Sequence, residues 1–349
     1  GIDAKSRTIR MVPTTHPERG WVCWWYFKLE GVPKGETITI DLTGGASGGA
    51  FALPDRAMFS LDNKLWKHTE PGKRDKGRIV YQHQADAETI WFAWGPPFVL
   101  SHAKEVLDEC VKKNKHATIF ELTKSKDGRS VPALKVEEPG AKDAARLGIW
   151  VQARQHAWES GGSWVGRGFI EWLLSEDAAA QALRKKATIY YVPIMDVDNV
   201  ERGAGGKDQK PHDHNRDWID QPVYPAVQAA QKKIAELDAA GRFDFFIDLH
   251  NPGPGDKQPF FFVAPPELLS APGQRNLDRF VIAARREITG PLKLAANTRP
   301  SGPGYDKNWK AISKNWVTEH TRNHVVALTL ETAWNTPHST SEGYLRVGK

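Results

Sequence analysis

The stretch LGIWVQARQHAWES (residues 147–160) joins an apolar run to a short segment of ionisable side chains. The run LGIWVQA has the length and composition of a buried strand, and Arg154, His156 and Glu159 follow it at once. Such groups at the end of a buried strand need partners, because charged side chains are costly to bury alone. The pattern predicts either half of a metal site or a polar cap on the strand.

Other apolar runs in the second part of the chain end in the same way. They alternate with segments of helical periodicity, which predicts a mixed, mainly parallel α/β sheet with helices on both faces. Ligands bind such sheets beyond the carboxyl ends of the strands. The predicted strands deliver polar groups there, namely Asp196 and Asp198, His250, and Glu331. A functional site is therefore expected at this sheet edge.

The first part of the chain has a different pattern. WVCWWYFKLEGV (21–32), ETITIDLTGG (36–45), RIVYQHQ (78–84) and TIWFAWGPP (89–97) are short β-type runs with turn residues between them. We predict an N-terminal antiparallel β-sandwich domain over residues 1–100 and a catalytic domain over residues 101–349. The boundary is expected near residues 96–104, where Gly-Pro-Pro interrupts the pattern.

Composition excludes several classes of protein. The 349 residues carry a net charge of +6, but the basic residues are scattered, which argues against nucleic acid as a partner. Two cysteines, Cys23 and Cys110, allow neither a disulfide framework nor a structural zinc ribbon. No apolar run reaches the roughly 18 residues of a membrane span. The chain begins with Gly, which favours a processed, periplasmic or secreted protein over a cytoplasmic one. The oligomeric state stays open.

The strand-end residues contain a set suited to catalytic zinc. His156, Glu159 and His250 offer two imidazoles and one carboxylate, and zinc so held keeps a position for water. Zinc lowers the pKa of that water towards about 7. Glu331 is then the strand-end Glu left to act as general base and acid. Each residue alone is a weak signal, since His-x-x-Glu recurs by chance, but their shared placement favours a metal site.

The order of the motifs resembles that of a known family. HAWE (156–159), HNRDW (214–218), DLH (248–250) and LTLET (328–332) are similar to the motifs of M14 zinc metallocarboxypeptidases. ARQHAWE and the preceding β-rich part are closer to the cytosolic-carboxypeptidase-like branch, bacterial type. The resemblance implies one zinc ion on His156, Glu159 and His250, with Glu331 as general base and acid. It also implies that Asn215 and Arg216 face a peptide substrate with a free carboxylate.

The sequence departs from that branch at several positions. Ala157 and Trp158 replace the usual Pro-Gly, and DVDN (196–199) stands where NPDG is usual. A second carboxylate-binding Arg is expected at the place of Gly206, beside Lys207. The candidate replacements are Arg202, Lys207 and Lys210, unless this stretch is only a flexible loop.

Three further interpretations concern the walls of the site. Tyr305 is the candidate for the family's site tyrosine, or it lines a side-chain pocket. Arg299 and Lys307 would suit an acidic substrate side chain. Trp158 and Trp334 are expected to pack behind the site or to contact substrate.

The sequence therefore predicts a zinc metallocarboxypeptidase that hydrolyses a C-terminal peptide bond. Two alternatives stay open. One is a zinc amidase acting on peptidoglycan stem peptides, or a deacylase of N-acyl amino acids. The other is a non-catalytic binding protein on the same fold.

Overall fold

The computed structural model describes residues 1–139 and 146–349. The strands are β1 (Ile2–Asp3), β2 (Thr8–Met11), β3 (Tyr26–Glu30), β4 (Thr37–Thr43), β5 (Met58–Ser60), β6 (Lys67–His68), β7 (Lys73–Asp75), β8 (Arg78–Gln84), β9 (Thr89–Ala93), β10 (Ala117–Lys124), β11 (Ser130–Glu137), β12 (Leu147–Ala153), β13 (Ala187–Val192), β14 (Phe245–His250), β15 (Phe260–Val263), β16 (Arg299–Pro300) and β17 (Val326–Glu331). The helices are α1 (Leu100–Lys113), α2 (Ser160–Leu173), α3 (Ala178–Lys186), α4 (Val197–Arg202), α5 (Pro225–Ala239), α6 (Ala271–Glu287), α7 (Ser313–His320) and α8 (Ser341–Gly348).

The first nine strands form two sheets that share one apolar core. Their orders are β1-β2-β4-β8-β7 and β3-β9-β5-β6. Ile40, Tyr81 and Phe92, from both sheets, belong to the same buried cluster. The expectation of a wholly antiparallel arrangement is wrong at one pair, because β2 and β4 run parallel. Between them the chain passes through β3 in the other sheet, so they are not joined by a hairpin and can run in the same direction.

The second part of the chain is built on an eight-stranded mixed sheet, ordered β10-β11-β13-β12-β14-β17-β15-β16. The central strands β13, β12, β14 and β17 are parallel to one another, and β11 and β15 flank them in the antiparallel direction. This confirms the predicted α/β class. Helices connect the central strands, as parallel pairing requires.

Three strands of this sheet were not predicted, namely β11, β15 and β16. β11 contains Pro132, which has no backbone N–H for a ladder and therefore argues against a strand. The structure accommodates it opposite Glu121 of β10, where the register of the pair shifts. Long-range pairing thus overrides the local signal.

The described part of the chain contains no helix with the length and apolarity needed to cross a bilayer. Cys23 and Cys110 are both buried and free.

Candidate metal centre

Three neighbouring strands bring the predicted donors to one edge of the sheet. β14 lies between β12 and β17, and all three run in the same direction. His250 and Glu331, the last residues of β14 and β17, are register partners. His156 follows β12 in a short loop, and Glu159 precedes the first residue of α2. The sheet topology therefore places all four side chains beyond the carboxyl ends of the strands.

His156, Glu159 and His250 converge on one point. One ligand atom from each lies within 4.8 Å of the others, and all three residues are buried. The Nδ1 atom of His156 lies 2.8 Å from Oε1 of Glu159. The Nδ1 atom of His250 lies 2.6 Å from Oε2 of the same carboxylate. Two imidazole nitrogens and one carboxylate thus face a shared centre.

The opposite nitrogen of each imidazole contacts a second carboxylate. The Nε2 atom of His156 lies 3.3 Å from Oδ1 of Asp213, and that of His250 lies 3.0 Å from Oδ2 of Asp248. A carboxylate behind each histidine fixes the proton on Nε2 and leaves the Nδ1 lone pair for a metal. The donor set and its supports fit zinc.

Sequence reasoning missed these two supporting carboxylates, although a signal for one was present. Asp248 lies two residues before His250 in a strand, so both side chains point to the same face. Asp213 gave no comparable signal, because it lies in an irregular loop before the short helical turn His214–Arg216.

Glu331 is buried close to the metal cluster and has spare hydrogen-bonding capacity. Among the residues that the structure describes, none hydrogen-bonds to its Oε2 atom. Burial raises the pKa of its carboxyl to about 7, against the lowering effect of His250. A carboxyl with such a pKa can both accept and return a proton near neutral pH.

Asn215 and Arg216 lie beside this cluster and are held by other loops. The side-chain oxygen of Asn215 accepts from the Ser313 amide at 3.0 Å, and its nitrogen lies 3.5 Å from Nε2 of His250. Arg216 donates to Oδ2 of Asp306 through Nε and Nη2, at 3.0 and 2.9 Å. The guanidinium is therefore fixed in orientation.

Lys207 and Tyr305 complete the group of polar side chains near Glu331. The Lys207 ammonium lies 3.1 Å from Oδ2 of Asp213. Burial raises the pKa of Tyr305, and the charges of Glu331, Arg216 and Lys207 all act on its hydroxyl. The structure thus brings Lys207 and Tyr305 to the site region. Tyr305 is also half-exposed, at 49%.

The remaining predicted cations are engaged elsewhere or lie farther out. Arg202 forms an ion pair with Asp127. Arg299 lies 2.7 Å from Asp256. Lys307 lines an open groove that Arg216 also lines. A cation that sequence analysis missed, Lys314, is fully buried on α7, where its ammonium contacts Ser301 and Asn315.

A family model for zinc carboxypeptidases matches residues 103–251 of the chain. This matched part of the chain, which carries His156, Glu159 and His250, is similar to M14 zinc carboxypeptidases. It is 29% identical over 247 residues to an uncharacterized protein of Zymomonas mobilis, covering 69% of this chain and 60% of that protein. It is 25% identical over 257 residues to cytosolic carboxypeptidase 2 of Danio rerio, covering 65% of this chain and 35% of that protein. The chain thus spans less than two thirds of either relative.

Solved structures share the fold. A putative carboxypeptidase A from Shewanella denitrificans superimposes with a TM-score of 0.83 at 22% identity, covering 99% of this chain and 91% of that one. A metallo-carboxypeptidase from Pseudomonas aeruginosa, in complex with (2-guanidinoethylmercapto)succinic acid, gives 0.78 at 23% identity, covering 99% and 92%. These similarities agree with the resemblance to the cytosolic-carboxypeptidase-like branch, bacterial type, that the sequence motifs indicated. The family and the His-Glu-His cluster together assign one zinc ion to this centre.

The departure from the family's Pro-Gly has a structural explanation. Trp158 is only 2% exposed and belongs to the core of the N-terminal sheets, where its ring packs against Trp94 and Phe51 at 5.3 and 5.6 Å. Trp334 joins the same cluster, at 4.5 Å from Trp94. The interpretation that these two rings pack behind the site is confirmed, and the alternative that they contact substrate is not, since both are buried against the first part of the chain.

Arg154, which had no assigned role, supports the loop of residues 155–159, called here the metal loop. Arg154 itself adopts a left-handed backbone conformation, with φ of 64°. Its buried guanidinium donates to the carbonyl oxygens of Phe98, at 2.9 Å, and of Ala157. It therefore ties the loop that carries His156 to the segment joining the two parts of the chain.

Replacing Asp248 by asparagine is expected to weaken zinc binding by about 10- to 100-fold, because His250 then loses the carboxylate that fixes its tautomer. Zinc affinity is measured by competition with a chromophoric chelator. Asp217→Asn is the matched control, since Asp217 is an equally buried partner of a histidine, His212, outside the metal cluster. Wild-type zinc affinity in Asp248→Asn would show that the Asp248 carboxylate does not support His250 as a zinc ligand.

Proposed function

We propose that the protein is a zinc-dependent carboxypeptidase that hydrolyses the C-terminal peptide bond of its substrate. The observation that carries this proposal is the Oε2 atom of Glu331, which has no hydrogen-bond partner among residues 1–139 and 146–349 and is buried beside a His-Glu-His cluster. A protein that only bound peptides would have no need of a partly unsatisfied carboxyl at this place, because such groups are costly to bury.

His156, Glu159 and His250 would hold the zinc ion. When bound, zinc supplies a Lewis acid for polarising a carbonyl oxygen and activating water. Asp213 and Asp248 orient the two imidazoles through their Nε2 atoms.

Glu331 would move the proton in both halves of the reaction. Its carboxylate accepts a proton from the attacking water and then delivers it to the leaving amine, so it ends in its starting state. Its burial and its pKa of about 7 suit both steps. In this scheme Tyr305 would face the substrate. The charge of Glu331 contributes to the raised pKa of its hydroxyl.

Arg216, Asn215 and Lys207 would bind the polar groups of the substrate. A guanidinium already oriented by Asp306 can present its remaining N–H groups to a carboxylate or a developing oxyanion. An open groove of about 620 Å³ is lined by Arg216, Trp309 and Trp316. It offers room for the rest of an extended substrate.

The direct test is hydrolysis of a panel of N-acetylated dipeptides ending in glutamate, lysine or phenylalanine, each with its C-terminal amide as a control. Mass spectrometry should show release of a C-terminal residue from at least one free acid and slower release from its amide. Cleavage of γ-linked or D-residue peptides alone would instead select the peptidoglycan alternative.

Replacing Arg216 by methionine is expected to lower kcat/KM on the best free acid by about 10²- to 10³-fold, because a charge-assisted contact in a water-poor site is lost. Arg216→Lys should recover part of the activity. Arg202→Met serves as control, since Arg202 pairs with Asp127 on the surface. If Arg216→Met and Arg202→Met had the same activity, Arg216 would have no place in substrate binding.

A further inference from the structure

A segment of the N-terminal part pairs directly with the loop that carries Lys207. The amide of Trp21 donates to the carbonyl of Lys207 at 2.9 Å, and that of Gly206 donates to Arg19 at 2.9 Å. The amide of Lys210 donates to Glu18 at 2.8 Å. We call residues 18–21 the bracing segment and residues 205–210 the Lys207 loop. Three backbone hydrogen bonds fix one against the other.

The contact between these segments is too close for any side chain at Gly20. A Cβ atom there would lie 2.2 Å from the carbonyl oxygen of Lys207, and Gly20 has a φ of +88°. On its other side the Lys207 loop lies against the metal loop. The Trp158 amide donates to Gly205 at 3.1 Å, and a Cβ on Gly206 would lie 2.8 Å from the Ala157 nitrogen. The bracing segment, the Lys207 loop and the metal loop thus form three contiguous layers.

The bracing segment also touches the lysine and its neighbour through a side chain. The indole nitrogen of Trp21 donates to Oδ2 of Asp208 at 2.8 Å, and the Lys207 ammonium lies 5.9 Å from the centre of the Trp21 ring. In the described part of the chain, this ammonium bonds to Asp213 and Asp208, each at 3.1 Å. An ammonium has three donors, so one stays available.

We propose that the N-terminal part of the chain is a working part of the substrate site: the bracing segment positions the Lys207 ammonium to bind the terminal carboxylate of the substrate, together with Arg216. This proposal deepens the proposed function and rests on it. The Lys207 ammonium and the zinc ligand His156 contact the same carboxylate, that of Asp213, at 3.1 and 3.3 Å, so Lys207 lies one side chain away from the metal centre. Asp213 holds Lys207 and Asp306 holds Arg216. The two cations can then each form one charge-assisted contact with the terminal carboxylate of the substrate.

The test compares Gly20→Ala with Gly35→Ala. Gly35 has nearly the same backbone conformation, with a φ of +90°, but open space around its Cβ position. Both variants therefore carry the same backbone strain, and only Gly20→Ala displaces the Lys207 loop. Binding of the tightest-binding dipeptide acid of the panel and of its amide is measured by calorimetry in the non-hydrolysing Glu331→Gln background. Gly20→Ala should weaken binding of the acid about tenfold, as expected for loss of one charge-assisted hydrogen bond, and leave the amide unaffected.

A double-mutant cycle with Lys207→Met separates positioning from general destabilisation. If Gly20 acts through Lys207, Gly20→Ala has no further effect on acid binding once the ammonium is gone. Lys207→Arg should restore most of the preference for the acid. Should Gly20→Ala fail to fold, Trp21→Phe, which deletes the bond to Asp208 and keeps the aromatic ring, takes its place in the cycle.

Equal acid binding by Gly20→Ala and Gly35→Ala overturns the proposal, and so does an additive cycle. Because these are binding measurements in a non-hydrolysing background, they are independent of turnover. A wild-type protein that binds the acid in this Lys207-dependent way but cleaves nothing would overturn the proposed function and leave the bracing role standing.

Discussion

Glu331→Gln is expected to lower kcat/KM by about 10²- to 10⁴-fold while zinc stays bound. The substitution keeps the shape of the side chain and removes its ability to accept a proton from water, and a positioned general base contributes this range of rate. Glu331 is 8% exposed at the end of β17, so bulk water has poor access to replace it. Steady-state kinetics on the best dipeptide acid gives the rate, and metal analysis of the same sample gives the zinc content.

The control for this substitution is Glu342→Gln, because Glu342 is a surface residue that pairs with Arg346 on α8. It should keep both activity and zinc. A zinc-loaded Glu331→Gln protein as active as the wild type would show that Glu331 does not transfer the proton. Loss of zinc together with activity would instead make Glu331 a structural neighbour of the metal, since the isosteric amide leaves the three donors in place.

Much of the site could be predicted because its residues follow local rules. The runs ending at Ala153, His250 and Glu331 read as buried strands, and parallel strands present their carboxyl ends at one edge. The sequence pattern thus placed His156, His250 and Glu331 together before any contact was known. The structure agrees, with His250 and Glu331 as register partners.

What the sequence did not reveal depends on contacts between distant segments. Asp213 reaches His156 from a loop 57 positions away. Trp158 was expected to pack behind the site or to contact substrate, and the sequence did not reveal that its partners are aromatic rings of the N-terminal core. The stretch around Lys207 was interpreted either as the source of a carboxylate-binding cation or as a flexible loop. Its order comes from the bracing segment, whose Trp21 side chain donates to Asp208, 187 positions away. Local periodicity carries no information about such pairings.

Contacts between distant segments also decide which of the candidate carboxylate-binding cations lies near the metal centre. Arg202, Lys207 and Lys210 were all candidates from the sequence, because each lies within a few positions of Gly206. The structure separates them through their partners. Arg202 pairs with Asp127, and Lys207 pairs with Asp213, which itself contacts the zinc ligand His156. One carboxylate therefore contacts both a zinc ligand and the cation that we propose to bind substrate, so we expect changes at Asp213 to affect both metal and substrate binding.

His250→Ala is expected to weaken zinc binding on the order of 10³-fold, because it removes one of three protein donors to the metal. His250 is 1% exposed and faces Glu159, so no other side chain can take its position without rearrangement of β14. Activity should fall with the zinc content. His324→Ala is the control. His324 lies just before the first residue of β17, pairs with Asp244 and contacts none of the three donors.

Thermal unfolding with zinc and with a chelator gives a readout independent of activity. A ligand that binds only the folded state raises its stability with the ratio of ligand concentration to Kd. The wild type and His324→Ala should therefore unfold at a higher temperature with zinc than with chelator. His250→Ala should show almost no difference between zinc and chelator, because its Kd for zinc is then higher than the zinc concentration used. A zinc-dependent rise in His250→Ala equal to that of the wild type would mean that the ion binds elsewhere, and the proposed ligand set would be wrong.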